Sequence, residues 1–265
     1  MDRYLNTAIN AAISAGKEIM KIYSDKNSDF GIEIKADNSP LTIADKKSDE
    51  IISQQLRKTG IPILSEEIKN RPFSERNIWK QVWIVDPLDG TKEFIKCNGE
   101  FTVNIALIRE GKPVLGVIYI PVKQILYFGT EGKGSFKTTD AEISNGAEEI
   151  IARGIRMPIE DKKRPFTIIA SRSHLTPETE LFIEKERLKH PELTTISAGS
   201  SIKICLVCEG SADIYPRFAP TMEWDTAAGD GIARSMGLQC TTTNGYTPLT
   251  YNKENLTNPW FIITR

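Results

Sequence analysis

The segment Trp83-Ile84-Val85-Asp86-Pro87-Leu88-Asp89-Gly90-Thr91 holds the residue types and spacing that most invite chemistry. Its apolar run is expected to end as a strand at Asp86, Pro87 fixes φ for a turn, and Asp89 follows. Gly90 permits a tight bend and close approach by a ligand, and a helix is expected to start near Thr91. Two carboxylates are thus aimed at one point, beside backbone N–H groups where an anion such as phosphate is favoured. Taken alone, the same residues also fit an ordinary turn with a capping threonine. Two further acids bear on the choice. Glu66, in Ser65-Glu66-Glu67, follows an expected strand over 61–64, and Asp225 lies near the start of an expected helix over 225–236. Each by itself fits a surface acid or a helix cap. Brought together they repel, at about 4 kcal/mol for a like-charge pair ~4 Å apart at an effective dielectric of ~20, so such a cluster persists only with cations bound. Hard anionic oxygens suit Mg²⁺, and two or more such ions at one site serve in-line phosphoryl transfer to water. One ion would activate the attacking water and another would neutralise the leaving alkoxide.

Other phosphate-handling motifs do not fit. The stretch Gly129-Thr130-Glu131-Gly132-Lys133-Gly134-Ser135 lacks the Gly-Lys-Ser/Thr order of a Walker loop and reads as a turn between strands. Gly229-Asp230-Gly231 lacks the third glycine of a dinucleotide loop. A phosphatase nucleophile two residues before Asp89 would have to be Pro87, which cannot attack.

The elements that must position these acids follow from periodicity. Leu5, Ala8, Ile9, Ala12, Ile19 and Tyr23 recur at helical spacing and predict an amphipathic helix over 4–23, with a second helix over 42–56. Strands are expected at 82–85, 101–109, 114–120 and 124–128, joined by short turns. After a polar, proline-bounded stretch at 156–165 the pattern alternates: strand 167–171, helix 177–189, strand 193–196, helix 200–209, strand 213–215, helix 225–236. A boundary is therefore expected between an N-terminal α+β part, residues 1–155, with most of the metal ligands, and a C-terminal α/β part, residues 156–265, that supplies Asp225. The cluster Lys162-Lys163-Arg164 reads as a solvated linker balanced by Glu160 and Asp161.

Composition narrows the field. In 265 residues, 34 Lys and Arg face 35 Asp and Glu, so no basic face for a nucleic-acid polymer is expected. Only two His, His174 and His190, argue against a His-rich zinc centre. Cys205 and Cys208 lie on an expected helix without a second pair to complete a zinc site, and read as core. No secretory signal or membrane span is seen, so a cytoplasmic protein is expected, with peripheral association at the inner face of a membrane left open.

The motifs Asp86-Pro87-Leu88-Asp89-Gly90-Thr91-Lys92-Glu93-Phe94, Ser65-Glu66-Glu67 and Trp224-Asp225-Thr226-Ala227-Ala228 together resemble the inositol monophosphatase superfamily of Mg²⁺-dependent, lithium-sensitive phosphomonoesterases. Asn98-Gly99-Glu100-Phe101-Thr102-Val103-Asn104, Gly199-Ser200-Ser201-Ile202-Lys203 and Tyr215-Pro216-Arg217 are similar to its 3'(2'),5'-bisphosphate nucleotidase branch. The resemblance implies a layered αβαβα sandwich with the site between its two parts. It implies two or three Mg²⁺ ions on Glu66, Asp86, Asp89, Asp225 and the carbonyl of Leu88, with Gly90 and Thr91 holding the scissile phosphate. The Thr91 hydroxyl and Asp45 would orient or deprotonate the attacking water, with Glu66 also in the catalytic set. Ser200 and the basic residues Arg172, His174, Lys203 and Arg217 would receive the rest of a small bisphosphorylated nucleotide. For His174, Lys203 and Arg217, ordinary surface charge is the competing reading. Two positions depart from the pattern: Cys97 stands where a basic residue is expected, and Gly231 where a larger apolar one is.

The expected activity is hydrolysis of adenosine 3',5'-bisphosphate to AMP and phosphate, clearing a by-product of sulfate assimilation. An inositol or sugar phosphate phosphatase is the alternative within the class. A non-catalytic regulator that kept the fold is the alternative outside it, disfavoured because no expected ligand is missing. Asp89→Asn is predicted to lower kcat greatly with little loss of folding, because it removes a metal charge rather than core contacts; turnover at the wild-type rate in saturating Mg²⁺ would refute the metal role.

Overall fold

A computed structural model of the chain describes residues 2–25, 29–35, 39–68, 71–141, 146–159, 163–172, 175–244 and 246–265. Helix Asp2–Tyr23 buries Leu5, Ala8, Ile9, Ala12 and Ile19 along one face, as the spacing requires. Helix Ile43–Arg57 packs beside it. Its start is closed by a reciprocal cap: the Thr42 hydroxyl accepts from the Ala44 and Asp45 N–H groups, while the Asp45 carboxylate accepts from Thr42 N at 2.7 Å. Asp45 is thus held by its own helix before it meets any ligand.

These two helices cover one face of a seven-stranded sheet in the order Ile63–Ser65, Gln81–Asp89, Thr102–Arg109, Lys112–Ile120, Ile125–Thr130, Gly134–Thr138, Ile155–Arg156. The first pair is parallel and the rest antiparallel. Both faces of the sheet are apolar: Trp83 and Val85 pack toward the first two helices, Val82 and Ile84 toward helices Ile202–Glu209 and Glu223–Arg234 behind. Continuous apolar runs, rather than alternation, are what a sheet covered on both sides needs. Beyond those helices lies a second sheet, ordered Thr194–Ala198, Thr167–Ser171, Ile214–Arg217, Phe261–Thr264, Thr241–Thr242, with helix Pro177–Lys189 on its far side. The five layers alternate α, β, α, β, α, the sandwich expected from the sequence.

Several local features differ from expectation. The acid-bearing strand does not stop at Asp86 but runs to Asp89, with Asp86 opposite Asn104 and Asp89 opposite Thr102. A bulge absorbs Pro87 and Leu88, so the proline has no ladder hydrogen bond to supply and does not end the strand. The strand before Glu66 is Ile63–Ser65, and helix Glu223–Arg234 is followed by three strands, Thr241–Thr242, Thr257–Asn258 and Phe261–Thr264, where the sequence pattern predicts none. Arg164 is no solvated linker residue: its guanidinium pairs with both oxygens of Asp213, at 2.5 and 2.8 Å. Residues 160–162 lie outside the described ones. Cys205, Cys208 and Cys240 are buried free thiols, as core packing requires.

Gly231 answers its own anomaly. A Cβ there would stand 2.9 Å from the carbonyl carbon and oxygen of Leu115, and one on Gly116 would overlap the Ala228 carbonyl. Helix Glu223–Arg234 therefore lies directly on strand Lys112–Ile120, closer than any side chain would allow. Helix propensity alone would make Gly231→Ala stabilising by about 1 kcal/mol. The contact with backbone predicts the opposite sign, a loss of about 1–3 kcal/mol in thermal or denaturant unfolding, and a rise in stability would refute the close approach.

Candidate active site

The bulge in strand Gln81–Asp89 and the first turn of helix Glu223–Arg234 meet at the mouth of a cleft of about 270 Å³ between the two sheets. Asp86, Asp89 and Asp225 each offer a carboxylate oxygen, all within 4.8 Å of one another. Each acid is fixed by the backbone. Asp86 Oδ1 accepts from Leu88 N at 3.1 Å within the bulge. Asp89 Oδ2 accepts from Ser201 N at 2.6 Å and Asn104 Nδ2 at 3.3 Å. Asp225 Oδ2 accepts from Met222 N at 2.8 Å.

Burial and mutual repulsion push all three carboxyls upward. Burial, followed by the charges of Glu66, Asp89 and Asp225, holds Asp86 well above the usual carboxylate range. Burial outweighs the opposing charge of Lys203 and lifts Asp89 to about 6. Burial and then the Asp89 charge push Asp225 up to about 8. A compact set of hard oxygen donors whose charges destabilise one another is what a small divalent cation relieves, so the residues fit the ion that the sequence implies.

Glu66 stands one residue past the neighbouring strand, and its carboxylate is held by Lys35 Nζ at 2.8 Å. Lys35 also grips Glu67 at 2.7 Å, and burial raises Glu67 to about 7. Of the expected ligands, then, three carboxylates converge and Glu66 lies beside them on an ammonium. The Leu88 carbonyl accepts the Thr91 hydroxyl at 3.3 Å. That hydroxyl also lies 3.0 Å from Asp45 Oδ1, the pairing expected for water activation. Burial raises Asp45, while the hydrogen bonds from Thr42 pull against that rise. Gly90 has φ 94° at the head of helix Thr91–Ile95, where its lack of a side chain also keeps 3.0 Å to the Glu100 carbonyl open.

The opposite wall belongs to the second sheet. Ser200 and Arg217 line the cleft, and Ser200 Oγ and Arg217 Nε are buried polar atoms without a hydrogen-bond partner. Arg217 Nη2 donates to Pro220 O at 3.1 Å. Lys203 is buried, donates to Ala198 O at 3.3 Å and Ser200 O at 2.5 Å, and lies over the Tyr215 ring. Burial pulls its ammonium down to about 8. Arg172 is turned to Glu100, and His174 lies outside the described residues. Sequence reading did not assign Lys35, Asn104 or Ser201. The last two stand inside quoted motifs, but Lys35 has no local signal.

A carboxyl whose folded-state pKa is raised opposes folding once it must ionise. The penalty is absent below the ordinary pKa of 3.8, grows as pH rises, and for Asp225 is complete above about 8. In chelator, Asp225→Asn is therefore predicted to raise Tm at pH 8 and to change it little at pH 4, by about 2–4 °C for each kcal/mol relieved. Added divalent cation should stabilise the wild type more than the variant. A lower Tm for the variant at pH 8 in chelator would contradict the proposed repulsion.

The inositol monophosphatase family model matches residues 1–259. The 3'(2'),5'-bisphosphate nucleotidase CysQ of Escherichia coli K12 is 43% identical over 265 residues, covering 98% of this chain and 99% of its own. That of Haemophilus influenzae is 31% identical, over 99% of this chain and 93% of its own. The crystal structure of CysQ from Bacteroides thetaiotaomicron, described as a bacterial member of the inositol monophosphatase family, aligns with a TM-score of 0.90 at 53% identity, over 99% of this chain and 97% of that one. On this evidence the chain belongs to the inositol monophosphatase family.

Proposed function

We propose that the chain is a Mg²⁺-dependent 3'(2'),5'-bisphosphate nucleotidase that hydrolyses adenosine 3',5'-bisphosphate to AMP and phosphate. One observation carries the reading beyond the family. The cleft has a crowded carboxylate wall facing a wall on which Ser200 Oγ and Arg217 Nε are buried without partners. Buried donors are seldom left unsatisfied, so unpaired donors on two residues that line the cleft fit a second anionic group held away from the cations. The relatives that carry the bisphosphate nucleotidase name support the same substrate class.

Asp86, Asp89, Asp225 and the Leu88 carbonyl, with Glu66 beside them, would hold Mg²⁺. When bound, the ions supply positive charge that polarises the phosphoryl oxygens, acidifies water and neutralises the departing alkoxide. The chain's own residues do the rest. Gly90, without a side chain, lets the scissile phosphate approach the backbone at the start of helix Thr91–Ile95. Thr91 Oγ1 donates to Asp45 Oδ1, which leaves its lone pairs free to accept a proton from the attacking water. As that proton arrives on Thr91, the threonine's own proton passes to Asp45, a carboxyl already raised by burial. Thr42, donating to Asp45 Oδ2, keeps the accepting oxygen turned toward Thr91. Ser200 and Arg217, with Lys203 holding the carbonyls of Ala198 and Ser200, would receive the 5'-phosphate and fix the ribose.

With Mg²⁺, phosphate release from adenosine 3',5'-bisphosphate is expected to exceed that from inositol 1-phosphate; the reverse order would leave a phosphatase of the family but overturn the substrate. Arg217→Ala should lower kcat/KM for the bisphosphate roughly ten-fold or more, the worth of one charge-assisted hydrogen bond. It should change kcat/KM for adenosine 3'-monophosphate little. Equal losses on both substrates would remove the second-phosphate role.

A further inference from the structure

Glu100 lies in the loop between helix Thr91–Ile95 and strand Thr102–Arg109, with its backbone N–H held by Asn98 Oδ1 at 2.9 Å. Its carboxylate crosses to the second sheet. Oε2 accepts from Gly199 N at 2.8 Å and from Arg172 Nε at 2.7 Å, and Oε1 accepts from Arg172 Nη2 at 2.8 Å. Arg172 Nη2 donates as well to Ser197 O at 3.1 Å, and Arg172 N to Ala198 O at 3.3 Å. Carboxylate, guanidinium and the Arg172 main chain together therefore hold residues 197–199.

The two residues that follow belong to the site. Ser200, at φ 44°, lines the cleft, and the Ser201 N–H donates to Asp89. On the other side, a Cβ on Gly90 would stand 3.0 Å from the Glu100 carbonyl oxygen, and one on Gly199 would stand 2.8 Å from the same atom. The phosphate turn and the serine turn both rest against Glu100.

We infer that Glu100 and Arg172 are a single positioning unit, an ion-pair clamp that sets the 199–201 turn against Asp89 and Gly90, and that Arg172 is not a ligand of substrate phosphate. The proposal rests on the nucleotidase reading for what the clamp positions, but not for the clamp itself. A fork of two parallel charge-assisted hydrogen bonds fixes direction as well as distance. The Arg172 side chain is 47% exposed, so the pair adds little to global stability. Its effect lies in placement, where an error of about 1 Å costs up to ~100-fold in rate.

The test compares Glu100→Gln, Arg172→Gln and the double variant by steady-state kinetics on adenosine 3',5'-bisphosphate, and by hydrogen exchange of the peptide spanning 197–203 without substrate. The expected result is a similar fall in kcat for all three, roughly ten-fold or more, with KM little changed and the peptide exchanging faster to the same extent in each. If Glu100→Gln lowers KM while Arg172→Gln raises it, Arg172 is an anion ligand that Glu100 restrains, and the proposal falls. It falls equally if the two losses multiply in the double variant, or if neither kcat nor exchange changes. Should the wild type release phosphate from no ester, the nucleotidase reading fails while the exchange measurement still decides the clamp.

Discussion

Three carboxylates held within one cation's reach and lifted by burial define what the rest of the molecule must resist. Left to themselves the acids would separate or protonate, so each is tethered by backbone N–H groups: Asp86 by its own bulge, Asp89 by the serine turn of the second sheet, Asp225 by the start of its helix. Main-chain donors suit this task because they carry no side-chain entropy and cannot swing away. The site is thus a region of stored repulsion inside a rigid frame, with stability given up for function.

Helix Ile43–Arg57 is the frame's main brace. Along one of its faces Asp45 meets Thr91, Ser48 donates to the Pro87 carbonyl at 2.6 Å, and Asp49 accepts from Ser65 at 2.5 Å. The start of helix Thr91–Ile95, the bulge of Asp86 and Asp89, and the strand end before Glu66 are therefore referred to one rigid element.

How far the sequence could be read follows from the range of each interaction. The acids were legible because a short motif places them, and the layers because helices and buried strands carry distinct periodicities. The strand through Pro87 was misjudged because proline ordinarily ends a strand, and its tolerance in a bulge depends on a partner strand that no local pattern names. Lys35 was invisible because its pairing with Glu66 and Glu67 closes across more than thirty residues between ordinary charges. Ser201 acts on Asp89 through its main chain, a donor that every residue other than proline possesses. Arg172 was recognised as a basic residue near the site, but its direction was set by Glu100, far away in the chain.

The glycine contact between helix Glu223–Arg234 and strand Lys112–Ile120 has a temporal meaning. Asp225 is separated from Asp86 and Asp89 by about half the chain, yet it rides on a helix seated against the sheet that those two acids share. On a ribosome, the first sheet could form with two of its acids in place while the third was still unmade. The complete cation site therefore waits on the synthesis of residue 225, and a nascent chain shorter than that would leave the sheet surface at Gly116 uncovered.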